Sequence, residues 1–362
     1  MITNQYAQIF LHDVPAIDTR SPGEYSKGHF PNAVSLPLMT DSERAQVGTC
    51  YKQRGQAEAI TLGHQLVNGV IKSQRVTAWA EYIKANPNCV LFCWRGGLRS
   101  QTCQQWLADV GVDCVRVEGG YKAMRRFLID TNQRICQQRP FVILAGHTGS
   151  AKTELLKTVA TSVDLEQLAH HRGSAFGKRL GGQPTQTTFE NRTFIELFKA
   201  DARRGDTPIV LEDESHLIGR CALPLELENA MKSSPIVVVQ TELRERVEHS
   251  FHNYILLNLA EHVAQQGRDQ GFELFANELR QAMKNIQRRL GGQRYAELSG
   301  ILDNALAQHR LGDNSSHLHW IETLLRDYYD PMYNFQMEKK KHRVIFRGSP
   351  AEVTDFLSSR TT

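Results

Sequence analysis

Two stretches of the chain combine residue types and spacings able to do chemistry. The first is FCWRGGLRS, residues 92–100, where an apolar run delivers Cys93 into a loop with two glycines, two arginines and a serine. A cysteine is a nucleophile or carrier only as thiolate, and nearby cations or a helix N-terminus favour that form. Arg95 and Arg99 supply positive charge, Gly96 and Gly97 allow the backbone angles of an anion nest, and a helix is expected to begin near Ser100. Cys93 is therefore the expected catalytic thiol, and Arg95, Gly96, Gly97 and Arg99 its cradle. Cys50, Cys103, Cys114, Cys136 and Cys221 have no such surroundings and read as structural. Cys89 and Cys93, on one strand, would stand roughly 13 Å apart, too far to share a zinc ion.

The second stretch is FVILAGHTGSAKTELLKTVA, residues 141–160: a strand, a glycine-bearing turn, a Lys-Thr pair and a helical pattern. Amides in such a turn cradle a phosphate chain, a lysine neutralises it, and a hydroxyl can ligate magnesium. Gly146, Thr148, Gly149, Ser150, Lys152 and Thr153 are the expected ligand-binding positions. Mg2+ would be held by Thr153 with Asp213 or Glu214 from the acidic strand PIVLEDE. Ala151 stands where the phosphate-loop pattern has its second glycine. If that position is left-handed, the alanine costs roughly 1 to 2 kcal/mol.

Both stretches need strands to present them. Short apolar runs (PAIDTR, AVSLPL, CVLFCW and CVRVEGG before residue 120; FVILAGH, PIVLEDE and PIVVVQ after residue 140) alternate with amphipathic segments. That pattern predicts α/β layers built on mainly parallel sheets. The polar junction TNQRICQQRP separates the groups, and past about residue 241 helical patterns dominate until KHRVIFRGSPAEVTDFL adds a strand and a short helix. The expected domains are 1–136, a phosphate-loop core at 137–245, and a mainly helical extension at 246–362. At 362 residues, with ordinary hydrophobic and charged content, the chain is long enough for two domains, and its formal charge of +4 leaves the partner open. Neither a leader nor a membrane span is readable, so a cytoplasmic location is expected.

The segment IDTRSPGEYSKGHFPNAVSLPL (17–38), the Cys93 loop and VEGGYKAMRR (117–126) together resemble the rhodanese family, whose loop cysteine carries a persulfide or perselenide. Five residues separate Cys93 from Arg99, where rhodanese sulfurtransferases commonly have four. The longer loop resembles that of rhodanese-related cysteine phosphatases, although Phe92 stands where those carry histidine.

A rhodanese-like domain ahead of a P-loop NTPase-like domain resembles the tRNA 2-selenouridine synthase family. The resemblance extends through DLEQLAHHRGSAFG (164–177), FEN (189–191), LEDESHLIG (211–219), RRLGGQRY (288–295) and YYDPMY (328–333). It implies replacement of sulfur by selenium in wobble-position 2-thiouridine of tRNA, with selenophosphate as donor, and S-geranylation from geranyl diphosphate as the preparatory step. Cys93 would present the selenium, and the phosphate loop would hold geranyl diphosphate or a nucleotide. An enzyme that supplies selenophosphate is an implied partner; no membrane is. The competing readings are a rhodanese-type sulfurtransferase regulated by a nucleotide, a cysteine phosphatase, and a noncatalytic tRNA-binding module.

RNA phosphates require lysines and arginines on one surface. The candidates are Arg172 with Lys178 and Arg179, Arg203 with Arg204, Lys284 with Arg288, Arg289 and Arg294, and the run from Lys339 through Lys340 to Arg343. Tyr328, Tyr329 and Tyr333 are candidate base-stacking residues.

Overall fold

The structure is a computed structural model describing residues 1–203 and 207–359; Arg204 lies outside them. It divides into two compact units, Met1–Ile135 with Thr185–Ala202, and Cys136–Pro184 with Arg203–Thr362.

The first unit is built on a parallel sheet of β1 (Ile2–Thr3), β2 (Ala16–Asp18), β3 (Ala33–Ser35), β4 (Val90–Phe92) and β5 (Val115–Val117), in the order β1-β5-β4-β2-β3. Successive strand residues point to opposite faces, and here both faces are covered. Ile17 and Leu91 join Trp79, Trp106 and Leu107 on one side. Ala16, Val90 and Phe92 join Tyr121, Met124 and Leu128 on the other. That second cluster also takes Phe194 and Ile195 from the helix Gln186–Arg203. The expected boundaries place this helix in the phosphate-loop core at 137–245, whereas Thr185–Ala202 belongs to the first unit. Its Asn191 side chain donates to His29 O at 3.0 Å and to the Tyr121 hydroxyl at 3.1 Å, long-range bonds that no local pattern announces.

In the second unit, β6 (Phe141–Gly146), β7 (Ser162–Val163), β8 (Ile209–Glu212), β11 (Ile236–Val239) and β12 (Val344–Gly348) form a parallel sheet in the order β12-β11-β6-β8-β7. Between them, β9 (Leu217–Ile218) and β10 (Cys221–Ala222) make a small antiparallel pair. The chain thus leaves the sheet after β11, builds a helical layer around Phe275, Leu279, Leu302 and Trp320, and returns at β12. The strand and helix expected to close the helical extension are part of the sheet layer: β12 hydrogen-bonds to β11, and Val353 and Leu357 of the helix Pro350–Ser359 pack with Val237 and Val239. The helical layer contains two π-helical segments, His252–Leu257 and Leu325–Tyr329. No helix among the described residues is long and apolar enough to cross a membrane.

Candidate active sites

Cys93 follows β4 directly and is 3% exposed, with two polar groups at its thiol. Its thiol donates to Ser100 Oγ at 3.3 Å and lies 4.0 Å from Gly97 O, while Ser100 Oγ donates to Gly97 O at 3.0 Å. A hydroxyl can reverse its role, so Ser100 is able to donate to the sulfur once the sulfur carries charge. The helix that follows spans Leu98–Ala108 and so begins before Ser100.

The loop is held from behind by the double glycine of VEGGYK. Tyr121 N donates to Cys93 O at 2.9 Å and Lys122 N to Trp94 O at 3.0 Å, and Arg116 Nη1 donates to Gly96 O. Gly96 has φ +62°, and a Cβ there would sit 2.7 Å from both Gly119 N and Val117 O. Gly120 has φ +58°, and a Cβ there would sit 2.2 Å from Cys93 O. Both positions therefore need glycine for conformation and for space. Gly97 has φ −93° and open space around it, so the unusual angles expected of both loop glycines belong to Gly96 alone.

Arg95 is exposed, whereas Arg99 is paired with Glu24 at 2.6 Å. Burial pushes the Glu24 carboxyl up, but hydrogen bonds and charge from Arg99 overcome this and hold it at about 2. Arg99 reaches the thiol electrostatically as half of an ion pair, not as a free cation. Burial pushes the neighbouring Cys103 thiol well above its ordinary value, which suits its reading as structural.

At the phosphate loop, β6 ends at Gly146 and the helix Lys152–Leu156 follows, much shorter than the sequence pattern suggests. Gly149 has φ +86°, and Ala151 has φ 55° and ψ 31°, the left-handed conformation that makes its methyl group costly. Lys152 Nζ donates to Gly146 O at 3.0 Å. Thr153 is half-buried at the start of the short helix, and Ser150 is buried with an unpartnered hydroxyl.

The loop is braced by residues the motif does not contain. Arg246 Nη1 donates to Thr148 O at 3.3 Å, and both of its Nη atoms donate to the Asp330 carboxylate at 2.7 Å. A Cβ on Gly149 would lie 2.7 Å from Arg246 O. Asp330 comes from YYDPMY, and His147 shares a 3.0 Å hydrogen bond with Asn334 just beyond it. Tyr329 is buried and Tyr333 packs on His147 with ring centroids 4.2 Å apart, which removes both from the stacking role expected of them.

The acidic strand departs from expectation. Asp213, a predicted magnesium ligand, accepts from Lys340 Nζ at 2.7 and 3.0 Å. Alternation sends Glu212 and Glu214 the other way, where they meet Glu166 from the helix Leu165–Leu168. Burial, then the neighbouring Glu166, Asp164 and Glu214, push the Glu212 carboxyl well above its usual range. Lys152 is close enough to act electrostatically on Glu166 and Glu214. The period-two pairing of Glu212 with Glu214 was a signal available in LEDE; nothing local pointed to Glu166 or Arg246.

The basic residues divide. Arg288 and Arg289 are exposed, as an RNA contact requires. Arg172 has a side chain only 10% exposed, 3.7 Å from Glu261. Lys340 is paired with Asp213, and Arg343 donates to Ser234 O and Met231 O at 2.8 and 2.7 Å. Those three cations are committed to holding the second unit together, because desolvated charges must find partners.

Comparison with known proteins covers both units. The family described as "tRNA 2-selenouridine synthase AAA domain" matches residues 139–362, and the "Rhodanese-like domain" family matches residues 4–126. The chain is 56% identical over 362 residues to the tRNA 2-selenouridine synthase of Hahella chejuensis (strain KCTC 2396), covering 99% of this chain and 96% of that one. It is 51% identical over 357 residues to the enzyme of that name from Bordetella petrii (strain ATCC BAA-461 / DSM 12804 / CCUG 43448), covering 98% and 95%. To that of Pseudomonas savastanoi pv. phaseolicola (strain 1448A / Race 6) it is 50% identical over 360 residues, covering 99% and 98%.

Proposed function

Because the chain belongs to the tRNA 2-selenouridine synthase family, we propose that its two sites carry out successive steps on one wobble 2-thiouridine, geranylation and then selenation. In the first step the nucleoside sulfur attacks C1 of geranyl diphosphate; the S–C bond forms, the C–O bond breaks, pyrophosphate leaves and the N3 proton of the base passes to solvent. The phosphate loop suits that leaving group: Lys152 neutralises developing charge and the loop amides donate hydrogen bonds to the departing oxygens. A divalent cation there would add positive charge at the same oxygens.

Geranylation turns a thiocarbonyl sulfur into a thioether, so that the second step has a leaving group. The selenium of selenophosphate attacks C2, the C2–Se bond forms and the C2–S bond breaks; water then attacks phosphorus, the Se–P bond breaks to release phosphate, and the departing geranylthiolate and N3 of the base take up protons from solvent. Selenium in this donor is already at the oxidation level of the product, and no reductant is consumed. Cys93 and its loop are assigned to presenting that anionic donor, with Ser100 at the sulfur and Arg95 exposed on the same loop. Arg288 and Arg289 are the assigned contacts for tRNA phosphates, with Mg2+ the assigned ion at the phosphate loop.

The observation supporting this reading is that a loop thiol and a phosphate-loop lysine occur in one chain that is similar, end to end, to enzymes named for the selenium modification. Nucleoside mass spectrometry on a deletion strain tests it. Complementation with Cys93→Ser should leave S-geranyl-2-thiouridine without 2-selenouridine, and Lys152→Ala should leave unmodified 2-thiouridine. Normal 2-selenouridine with Cys93→Ser would refute the thiol's role, and S-geranylated tRNA with Lys152→Ala would move the diphosphate site elsewhere.

A further inference from the structure

The carboxylates at the end of β8 have no role in the thiol chemistry, and their arrangement is costly unless something joins them. Glu212 is the last residue of β8 and is 0% exposed. No amide, hydroxyl or cationic group donates to either of its carboxylate oxygens, and the polar side chain beside it is another acid, Asp164. Burying an unpartnered carboxylate is among the most unfavourable things a fold can do, since no donor replaces the lost water. A second and a third carboxylate lie beside it: one ligand oxygen from each of Glu166, Glu212 and Glu214 falls within 4.8 Å of the other two.

The architecture enforces this meeting. β7 pairs with β8 through Ser162↔Val210 and Val163↔Leu211, so the turn after β7 carries Glu166 to the end of β8. Gly173, at φ +63°, closes the other side: a Cβ there would lie 2.0 Å from Glu166 Oε1 and 3.1 Å from Glu214 Oε1. A side chain in place of that glycine would fill the space in front of both carboxylates.

We propose that Glu166, Glu212 and Glu214 form a binding site for a hard divalent cation, which keeps Glu214 of the set expected from the phosphate-loop pattern (Thr153 with Asp213 or Glu214) and replaces the others. Three oxygens within 4.8 Å of one another leave a point no more than about 2.8 Å from each, so that a small inward movement of the side chains reaches the metal–oxygen distances of Ca2+ and a larger one those of Mg2+. An all-carboxylate donor set selects Mg2+, Mn2+ or Ca2+ over zinc or copper. Two positive charges, with Lys152 and Arg179 nearby, would offset the carboxylates of Glu166, Glu212 and Glu214 and the neighbouring Asp164. The site does not depend on which phosphate-bearing molecule occupies the loop.

Mn2+ serves as the probe. Full-length protein, stripped with EDTA and free of any nucleotide or diphosphate, is titrated near neutral pH while the electron paramagnetic resonance signal of free Mn2+ is followed. The expected result is about one bound Mn2+ per chain, weakened about tenfold or more by Glu212→Gln, the scale on which even supporting residues of metal sites act. Asp213→Asn should stay within about threefold of the unaltered protein, whereas loss of a ligand would cost more. In EDTA, Glu212→Gln should melt no lower than the unaltered protein, because one of three crowded carboxylates has been neutralised. If Glu212→Gln does not fold, Glu214→Gln gives the same readout at a less buried position. The absence of a Mn2+ site, or one that survives Glu212→Gln and disappears with Asp213→Asn, overturns the proposal.

Discussion

Replacing Ala151 with glycine isolates the one departure of the phosphate loop from its pattern. In the structure Ala151 has φ 55° and ψ 31°, where the Cβ of an L-residue crowds the following carbonyl at about 1 to 2 kcal/mol. Glycine removes that strain but enlarges the freedom of the unfolded chain, which returns about 0.4 to 1 kcal/mol. The difference of the midpoints, about 0.8 kcal/mol, stabilises the variant. For a unit of this size that corresponds to a rise in Tm of about 2 to 3 °C. Ala151→Val provides the opposite sign, since a β-branched residue tolerates the left-handed region worst. Differential scanning calorimetry on the full chain reads both variants, with the transition of the second unit identified by its response to pyrophosphate. If Ala151→Gly melts at or below the unaltered protein while Ala151→Val melts no lower, the strain argument fails.

Other consequences follow from the braces around the two sites. Gly120→Ala puts a methyl group 2.2 Å from Cys93 O at φ +58°; overpacking with left-handed strain should cost about 2 to 5 kcal/mol. It should abolish selenium incorporation and spare S-geranylation, as read by nucleoside mass spectrometry. Asp330→Asn leaves Arg246, whose side chain is 5% exposed, without its counter-charge, and should lower stability by about 3 kcal/mol in urea unfolding, the lower end for a broken buried pair. A loss below about 0.5 kcal/mol, the range of an ordinary surface substitution, would count against the brace. The pH dependence of the Glu24–Arg99 pair has a definite sign. Because the Glu24 carboxyl is held at about 2, its contribution is complete above the ordinary glutamate value and is lost as pH falls toward 2. Carboxylate chemical shifts should show Glu24 still ionised at pH 3.5, and Glu24→Gln should flatten stability across that acid range.

Much of the architecture is legible in the sequence because it is local. Runs such as CVLFCW and FVILAGH are apolar over strand lengths and end in glycine-bearing turns, so they specify both the strand and the element it delivers. The thiol loop and the phosphate loop are contiguous segments, and a contiguous segment carries its own spacing into the fold. The requirement for glycine at Gly96 is likewise visible in the run RGG, although the backbone it packs against, Gly119–Gly120, lies where β5 turns into the following helix.

What tertiary structure decided is the allocation of partners. LEDE contains three acids, and alternation separates Asp213 from Glu212 and Glu214, but which side faces Lys340 and which faces Glu166 depends on the neighbouring strands. In the same way Arg343 reads as a surface cation until it donates to Met231 O and Ser234 O. The helix Gln186–Arg203 reads as part of the second unit until Phe194 and Ile195 enter the first unit's core. Electrostatic pairing and apolar burial act through space over a few ångströms, and residues brought that close can be a hundred or more positions apart, as Lys340 and Asp213 are. Sequence spacing therefore determines which chemical groups each loop offers, and only the packed chain determines which of them remain available.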